Sequence, residues 1–246
     1  MSEERIPSRI LEHCFLTALA GDARQVCDRA RINKFFPKVR STIRPMSNSN
    51  PRLTRGKGLL EPLLARLRAQ RANSLIPAEL RNGRILDIGC GSYPYFLSHT
   101  EFEQKFAVDQ LPPSDHGKRL NIQWHTLDLN SAPKLPFEDN FFNAITLLAV
   151  VEHLNPNSMA ALFTETYRVL QPGGVVIMTT PAAWSDGLLK FMARVGLVSA
   201  EEIHEHVFAY TLPLLGWYFG RGGFEMTKVK FGYFEFMLNM WAVAKK

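Results

Sequence analysis

Two carboxylates and a glycine pair are spaced as a cofactor site would need them. Asp87 stands two residues before Gly89-Cys90-Gly91, and Asp109 follows Gly89 by 20 residues (109 − 89 = 20). Glycine has no Cβ, so a glycine pair lets the backbone turn sharply and come close to a ligand. A carboxylate about 20 residues beyond such a turn can accept hydrogen bonds from ribose hydroxyls. An Asp at a strand end also serves as an ordinary turn residue or helix cap. The register with the glycines is what favours the ribose. Further on, Glu152 and His153 put a carboxylate beside an imidazole, the side chain best suited to proton transfer near neutral pH.

These residues need a frame. Arg84–Ile88 is a short apolar run, the mark of a buried parallel strand. Pro94 suits the first turn of a helix, where its missing N–H costs nothing. Strand, glycine turn and helix start is the arrangement by which an α/β sheet holds a nucleotide-like ligand. Residues 105–109 predict a second strand ending in Asp109, and 122–127 a third ending at Asp128-Leu129. Residues 144–151 predict a fourth. Gln171-Pro172-Gly173-Gly174 stops a helix, and the β-branched run 175–181 predicts a fifth strand. A dinucleotide fingerprint would carry a third glycine where Pro94 stands. Asp109 serves a ribose in either kind of site and does not choose between them.

Taken in order, the motifs over Arg84–Pro181 resemble class I S-adenosylmethionine-dependent methyltransferases, of the small-molecule type 11-like kind. They are the acidic residue before the glycine turn, the "LPF" segment 135–137 leading into strand four, Glu152-His153-Leu154 after it, and the 167–174 helix stop. Tyr93 replaces the usual last glycine of the first motif, and Asn143 replaces a usual Asp. The resemblance implies a doubly wound, Rossmann-like α/β fold. Its seven-stranded, mostly parallel sheet would run 3-2-1-4-5-7-6, with the last strand antiparallel and helices on both faces. It implies S-adenosylmethionine as cofactor, held by Asp87, Gly89, Cys90, Gly91, Asp109, Gln110, Asp128, Leu129 and Ala149. Asp128 would take the adenine amino group and Leu129 would lie against the ring. His153 becomes the candidate catalytic base. His204, His206 and Tyr210 fall in a segment that often covers the acceptor.

The implied reaction is methyl transfer to a small-molecule or lipid- or glycan-linked acceptor, at a hydroxyl. Its rate would come mainly from aligning nucleophile and methyl group and excluding water. The alternative from another class is a methyltransferase-like binding or assembly protein that has lost catalysis, a reading motivated by Tyr93 and Asn143. Enzymes that methylate base amino groups carry an Asn/Asp-Pro-Pro-aromatic motif after strand four, where this chain has Val150-Val151-Glu152-His153. Nucleic acid is therefore not the expected acceptor.

Charge and length bound the rest. The 246 residues suit one α/β domain with additions. Residues 1–71 hold 15 Lys and Arg against 6 Asp and Glu; the remainder holds 14 against 17, for a formal net charge of +6. The basicity thus belongs to an expected partly helical N-terminal extension, residues 1–56, ahead of a methyltransferase domain at 57–246. Such an extension suits peripheral contact with an anionic membrane or simple solvation. Leu11, Cys14, Phe15, Ala18 and Leu19 follow a helical spacing, as do Leu60, Leu63, Leu64 and Leu67, for which core packing is expected. Helices are also expected at 185–197, from Ser199, and from a Thr211 cap to Phe219. The closing strands are expected at 224–231 and 236–243.

Three widely spaced cysteines, Cys14, Cys27 and Cys90, point to a reducing compartment, and with no evident secretory signal in residues 1–20 the expected location is cytoplasmic. No apolar run reaches the ~18 residues of a spanning helix. No metal site is expected, since His204-Glu205-His206 would need further ligands. Oligomeric state is not legible.

Overall fold

The computed structural model describes residues 60–199, 210–235 and 237–246. Strands β1 (Arg84–Ile88), β2 (Gln104–Asp109), β3 (Gln123–Thr126), β4 (Phe142–Leu148), β5 (Leu170–Pro181), β6 (Val229–Phe234) and β7 (Asn239–Lys245) form one sheet. Their order is β3-β2-β1-β4-β5-β7-β6. Pairs among β1 to β5 are parallel, and β7 runs antiparallel to both β5 and β6. This is the expected doubly wound sheet.

The strands alternate between two cores. Leu86, Ile88, Val108, Ile145 and Leu147 face the side covered by α3 (Pro156–Val169) and α5 (Leu212–Arg221). Ile85, Ala107, Ala144 and Ile177 face α1 (Glu61–Leu75) and α2 (Tyr95–Ser98). Because helices cover both faces, the central strands are apolar at nearly every position. Helix α3 starts cleanly: the Asn155 side chain accepts from Ser158 N at 2.9 Å, and Pro156 occupies the first helical position.

Several boundaries differ from the sequence expectation. The closing hairpin begins later than 224 and 236, at Val229 and Asn239. Phe224 is instead a core plug, edge-on to Tyr167 and Phe219, and 226–228 makes a 3-10 turn. Strand β5 starts earlier than Val175, because Leu170 pairs with Phe142 across an irregularity in the ladder. The helix expected at 185–197 is the shorter α4 (Asp186–Arg194), closed by Gly196 in the left-handed region. Thr211 sits at the cap position of α5, but its side chain makes no capping bond.

The leucine stripe of α1 is not its buried face. Leu63 is 52 % exposed, whereas Glu61, Ala69 and Ala72 are buried. The small alanines let the helix lie close to the sheet, and the long leucines fall to its flanks. The 56/57 boundary, the helical spacing before Leu60, the helix start in 200–202, and His204 and His206 all lie outside the described residues.

Candidate functional site

The carboxyl ends of β1 to β4 open on one cleft of about 450 Å³. Neighbouring strands β2 and β4 leave β1 in opposite directions along the sheet, and such a switch point is where open α/β sheets bind ligands.

The glycine turn forms its floor. Gly89 has φ 72° and donates to Val108 O at 2.7 Å; Gly91 has φ 67° and donates to the Asp109 carboxylate at 2.8 Å. Leu111 N donates to the other oxygen of Asp109 at 2.8 Å. Two backbone N–H groups therefore pin this buried carboxylate against the turn. A side chain on Gly89 would overlap Val150, while the space above Gly91 is open. Cys90 and Gln110 also line the cleft. A pinned carboxylate beside an open, Cβ-free cradle fits a ribose-bearing ligand.

Asp87 lies behind the turn. It is buried, accepts from Thr146 Oγ1 at 2.6 Å, and does not line the cleft. Burial pushes its carboxyl up to about 7; the Thr146 bond opposes this and the charge of Asp109 adds to it. Asp128 lines the cleft as an exposed turn residue, accepting from Ser131 Oγ at 2.7 Å and Asn130 N at 3.0 Å. Those bonds, the Ser131 one foremost, hold its carboxyl below the usual range. Leu129 is buried beside it and shares the wall.

The loop after β4 supplies the other wall. Ala149 takes φ 57°, uncommon for a residue with a Cβ, while its N–H donates to Thr179 O at 3.0 Å. His153 ends a 3-10 turn at Val151–His153 and lines the cleft. Glu152 is buried there and accepts from Thr180 Oγ1 at 3.0 Å. Asn130 joins the two walls: its amide donates to His153 O at 3.1 Å and accepts from Asn155 N at 3.0 Å.

Eight of the nine expected cofactor residues thus share the cleft with His153; Asp87 supports it from behind. Tyr210 is fully buried, bridges to Ala182, and does not line the cleft. Burial raises its hydroxyl pKa, with Tyr218 and Glu152 adding to the shift. The two departures from the family pattern fall elsewhere. Tyr93 does not line the cleft. Asn143 sits at the amino end of β1, where its side chain accepts from Arg84 N at 2.8 Å. Sequence reasoning missed Glu61, Arg68, Asn130 and Asn239, which also line the cleft. Nothing in the sequence marks them: Glu61 and Arg68 share α1, but Asn130 and Asn239 reach the cleft from other parts of the chain. Among the described residues no group of His, Cys, Asp and Glu converges as a metal set.

Fold and cleft together define the class: a Rossmann-like α/β protein whose strand carboxyl ends open on a cleft that fits a nucleoside-bearing cofactor. A family model described as a methyltransferase domain matches residues 58–229, and the chain belongs to that family. It is an enzyme of methyl transfer, with S-adenosylmethionine as methyl donor.

Solved structures share the fold. An S-adenosylmethionine-dependent methyltransferase from Archaeoglobus fulgidus is 17% identical with a TM-score of 0.55, over 76% of this chain and 94% of that one. One from Mesorhizobium loti is 15% identical with a TM-score of 0.53, over 74% and 100%. A Haloferax volcanii methyltransferase, solved in complex with a methyltransferase activator, is 14% identical with a TM-score of 0.56, over 72% and 88%. No curated protein matches the chain. Among the described residues no helix is long and apolar enough to cross a membrane.

Proposed function

We propose that this enzyme methylates a hydroxyl of a small-molecule or lipid- or glycan-linked acceptor, with His153 receiving the hydroxyl proton. The observation that carries this reading is that His153 lines the same cleft as the glycine turn and Asp109. S-adenosylmethionine brings a methyl group already activated on a sulfonium. The chain's task is to orient and to exclude water. In this reading the Gly89–Gly91 backbone and the pinned Asp109 hold the ribose, and Asp128 and Leu129 hold the adenine. Ala149 shapes the wall between donor and acceptor. His153 faces the acceptor, its backbone carbonyl fixed by Asn130. Asp87 positions the turn from behind through Thr146.

The basic segment before residue 57 would act as an appended extension, suited to an anionic surface. Scattered cysteines favour work in the cytoplasm.

The test begins with calorimetry: wild-type protein should bind S-adenosylmethionine and S-adenosylhomocysteine saturably. Transfer of labelled methyl to a panel of hydroxyl-bearing acceptors follows. His153→Ala should slow transfer by about 100-fold, the low end of general-base effects, with S-adenosylhomocysteine affinity little changed. Equal turnover in the variant would remove His153 as the base.

A further inference from the structure

The cleft has a second group of polar lining residues, apart from those assigned above to the donor. Glu61, the first residue of α1, is only 4% exposed and lines the cleft. Its Oε1 accepts from Ser199 N at 3.0 Å. Its Oε2 is buried with no hydrogen-bond partner, and Arg68 Nη2 stands 3.8 Å away, beyond hydrogen-bond reach. Arg68 lies two turns along the same helix face and also lines the cleft.

Asn239, the first residue of β7, reaches this end from the sheet. Its amide donates to Glu235, whose Oε1 is likewise buried without a partner and whose backbone takes φ 50°. Burial pushes the Glu235 carboxyl up, against the pull of Arg68 and Asn239. Leu64, Leu189 and Val198 supply apolar wall around the group.

A buried polar atom without a partner needs a reason, and at the edge of a cleft a ligand contact is the direct one. Glu61 already has a counter-charge in Arg68, so what its Oε2 lacks is a hydrogen-bond donor. Arg68 offers donors and no acceptor; Asn239 offers both kinds of group. Neighbouring hydroxyls satisfy such a mixture, since each donates to a carboxylate and accepts from a guanidinium or amide. An anionic ligand would face Glu61 and Glu152, and a lone ammonium would face Arg68.

We propose that Glu61, Arg68 and Asn239 form an acceptor subsite that binds a neutral, polyhydroxylated, sugar-like group through its hydroxyls. The inference rests on the reading of the cleft as a donor site with the acceptor beside it, and it names the acceptor's chemistry.

The test uses the full chain saturated with S-adenosylhomocysteine, the saturation checked by calorimetry. Ligand-observed NMR then probes methyl glucopyranoside, galactopyranoside and mannopyranoside, with 1-hexanol and hexylammonium as single-group controls. At least one glycoside should bind where neither control does. Glu61→Gln keeps the oxygen that serves Ser199 and replaces the orphan one by an amide nitrogen. It should weaken glycoside binding about tenfold or more while S-adenosylhomocysteine affinity stays within about twofold. Asn239→Ala, on a different element, should weaken the same binding and decides the matter if Glu61→Gln does not fold.

Absence of glycoside binding, or binding that neither variant weakens, overturns the subsite. So does a Glu61→Gln variant that loses S-adenosylhomocysteine instead, which would assign Glu61 to the donor. Failure of the wild type to bind S-adenosylhomocysteine is a separate result: it sinks the donor reading and this inference with it.

Discussion

The two ends of the cleft are built in opposite ways. The proposed donor end comes from residues at the carboxyl ends of β1, β2 and β4 and is held by backbone N–H groups. Gly89 N bonds Val108 O, Gly91 N and Leu111 N bond Asp109, and Ala149 N bonds Thr179 O. The other end joins Glu61 to Ser199 across 138 residues of sequence and sets Arg68 and Asn239 beside them. Its polar atoms are only partly paired. A backbone-built site presents a fixed shape to a constant ligand. A site assembled from side chains of distant elements can be altered one residue at a time, which suits the end proposed to select an acceptor.

The sharpest way to break the donor end is Gly89→Ala. A Cβ there would overlap Val150 in a residue whose φ is 72°. Overpacking and left-handed strain together should cost about 3 kcal/mol or more. Urea unfolding and loss of S-adenosylmethionine binding would show it.

A comparable effect is expected from pH through Asp87. Its folded pKa of about 7 lies above the ordinary value of 3.8. The group therefore contributes stability that is full below about pH 4 and is lost as pH rises through 7. At 1.36 kcal/mol per unit this amounts to roughly 4 kcal/mol at most. Unfolding curves of the ligand-free protein from pH 4 to 8.5 should show the decline, and Asp87→Asn should flatten it. A wild type whose stability does not change over that range would show that Asp87 is not shifted.

Next comes Asp109→Ala. It should weaken S-adenosylmethionine binding by about 100-fold, the worth of one or two hydrogen bonds to a charged group, while the protein still unfolds cooperatively. Unchanged affinity in calorimetry would end the ribose assignment.

The smallest effect is expected from Gly91→Ala. Its φ of 67° is equally unfavourable for a side chain, but a Cβ would meet nothing within 4 Å. The expected loss of stability is about 1 kcal/mol, the left-handed term alone. A loss as large as that of Gly89→Ala would mean that conformation and not the contact with Val150 dominates the turn.

The legible and illegible parts divide along the same line. Asp109 was readable because strand, turn and strand set its distance from Gly89 along the chain. The sheet order followed from the succession of motifs that resemble a known family. Asp87 was readable as part of the motif but not as a buried group behind the turn, since one strand residue shifts a side chain from one face to the other. The leucines of α1 misled because helical spacing marks an apolar stripe without saying which neighbour it meets. In the fold the alanine face fits closer to the sheet. Phe224 read as strand and proved to be a plug, because aromatic residues suit both settings.

The sequence alone determined the succession of strands, the glycine turn, and the cleft-lining residues that depend on short separations along the chain. Local sterics and hydrogen bonding decide these, and they act over a few residues. Only the tertiary structure decided that Glu61, Arg68 and Asn239 share a cleft with His153, that Asn130 ties its two walls, and that Asn143 braces the far end of β1. Those juxtapositions depend on how helices seat on the two faces of the sheet, and packing of that kind is set by shape complementarity between elements far apart in the chain.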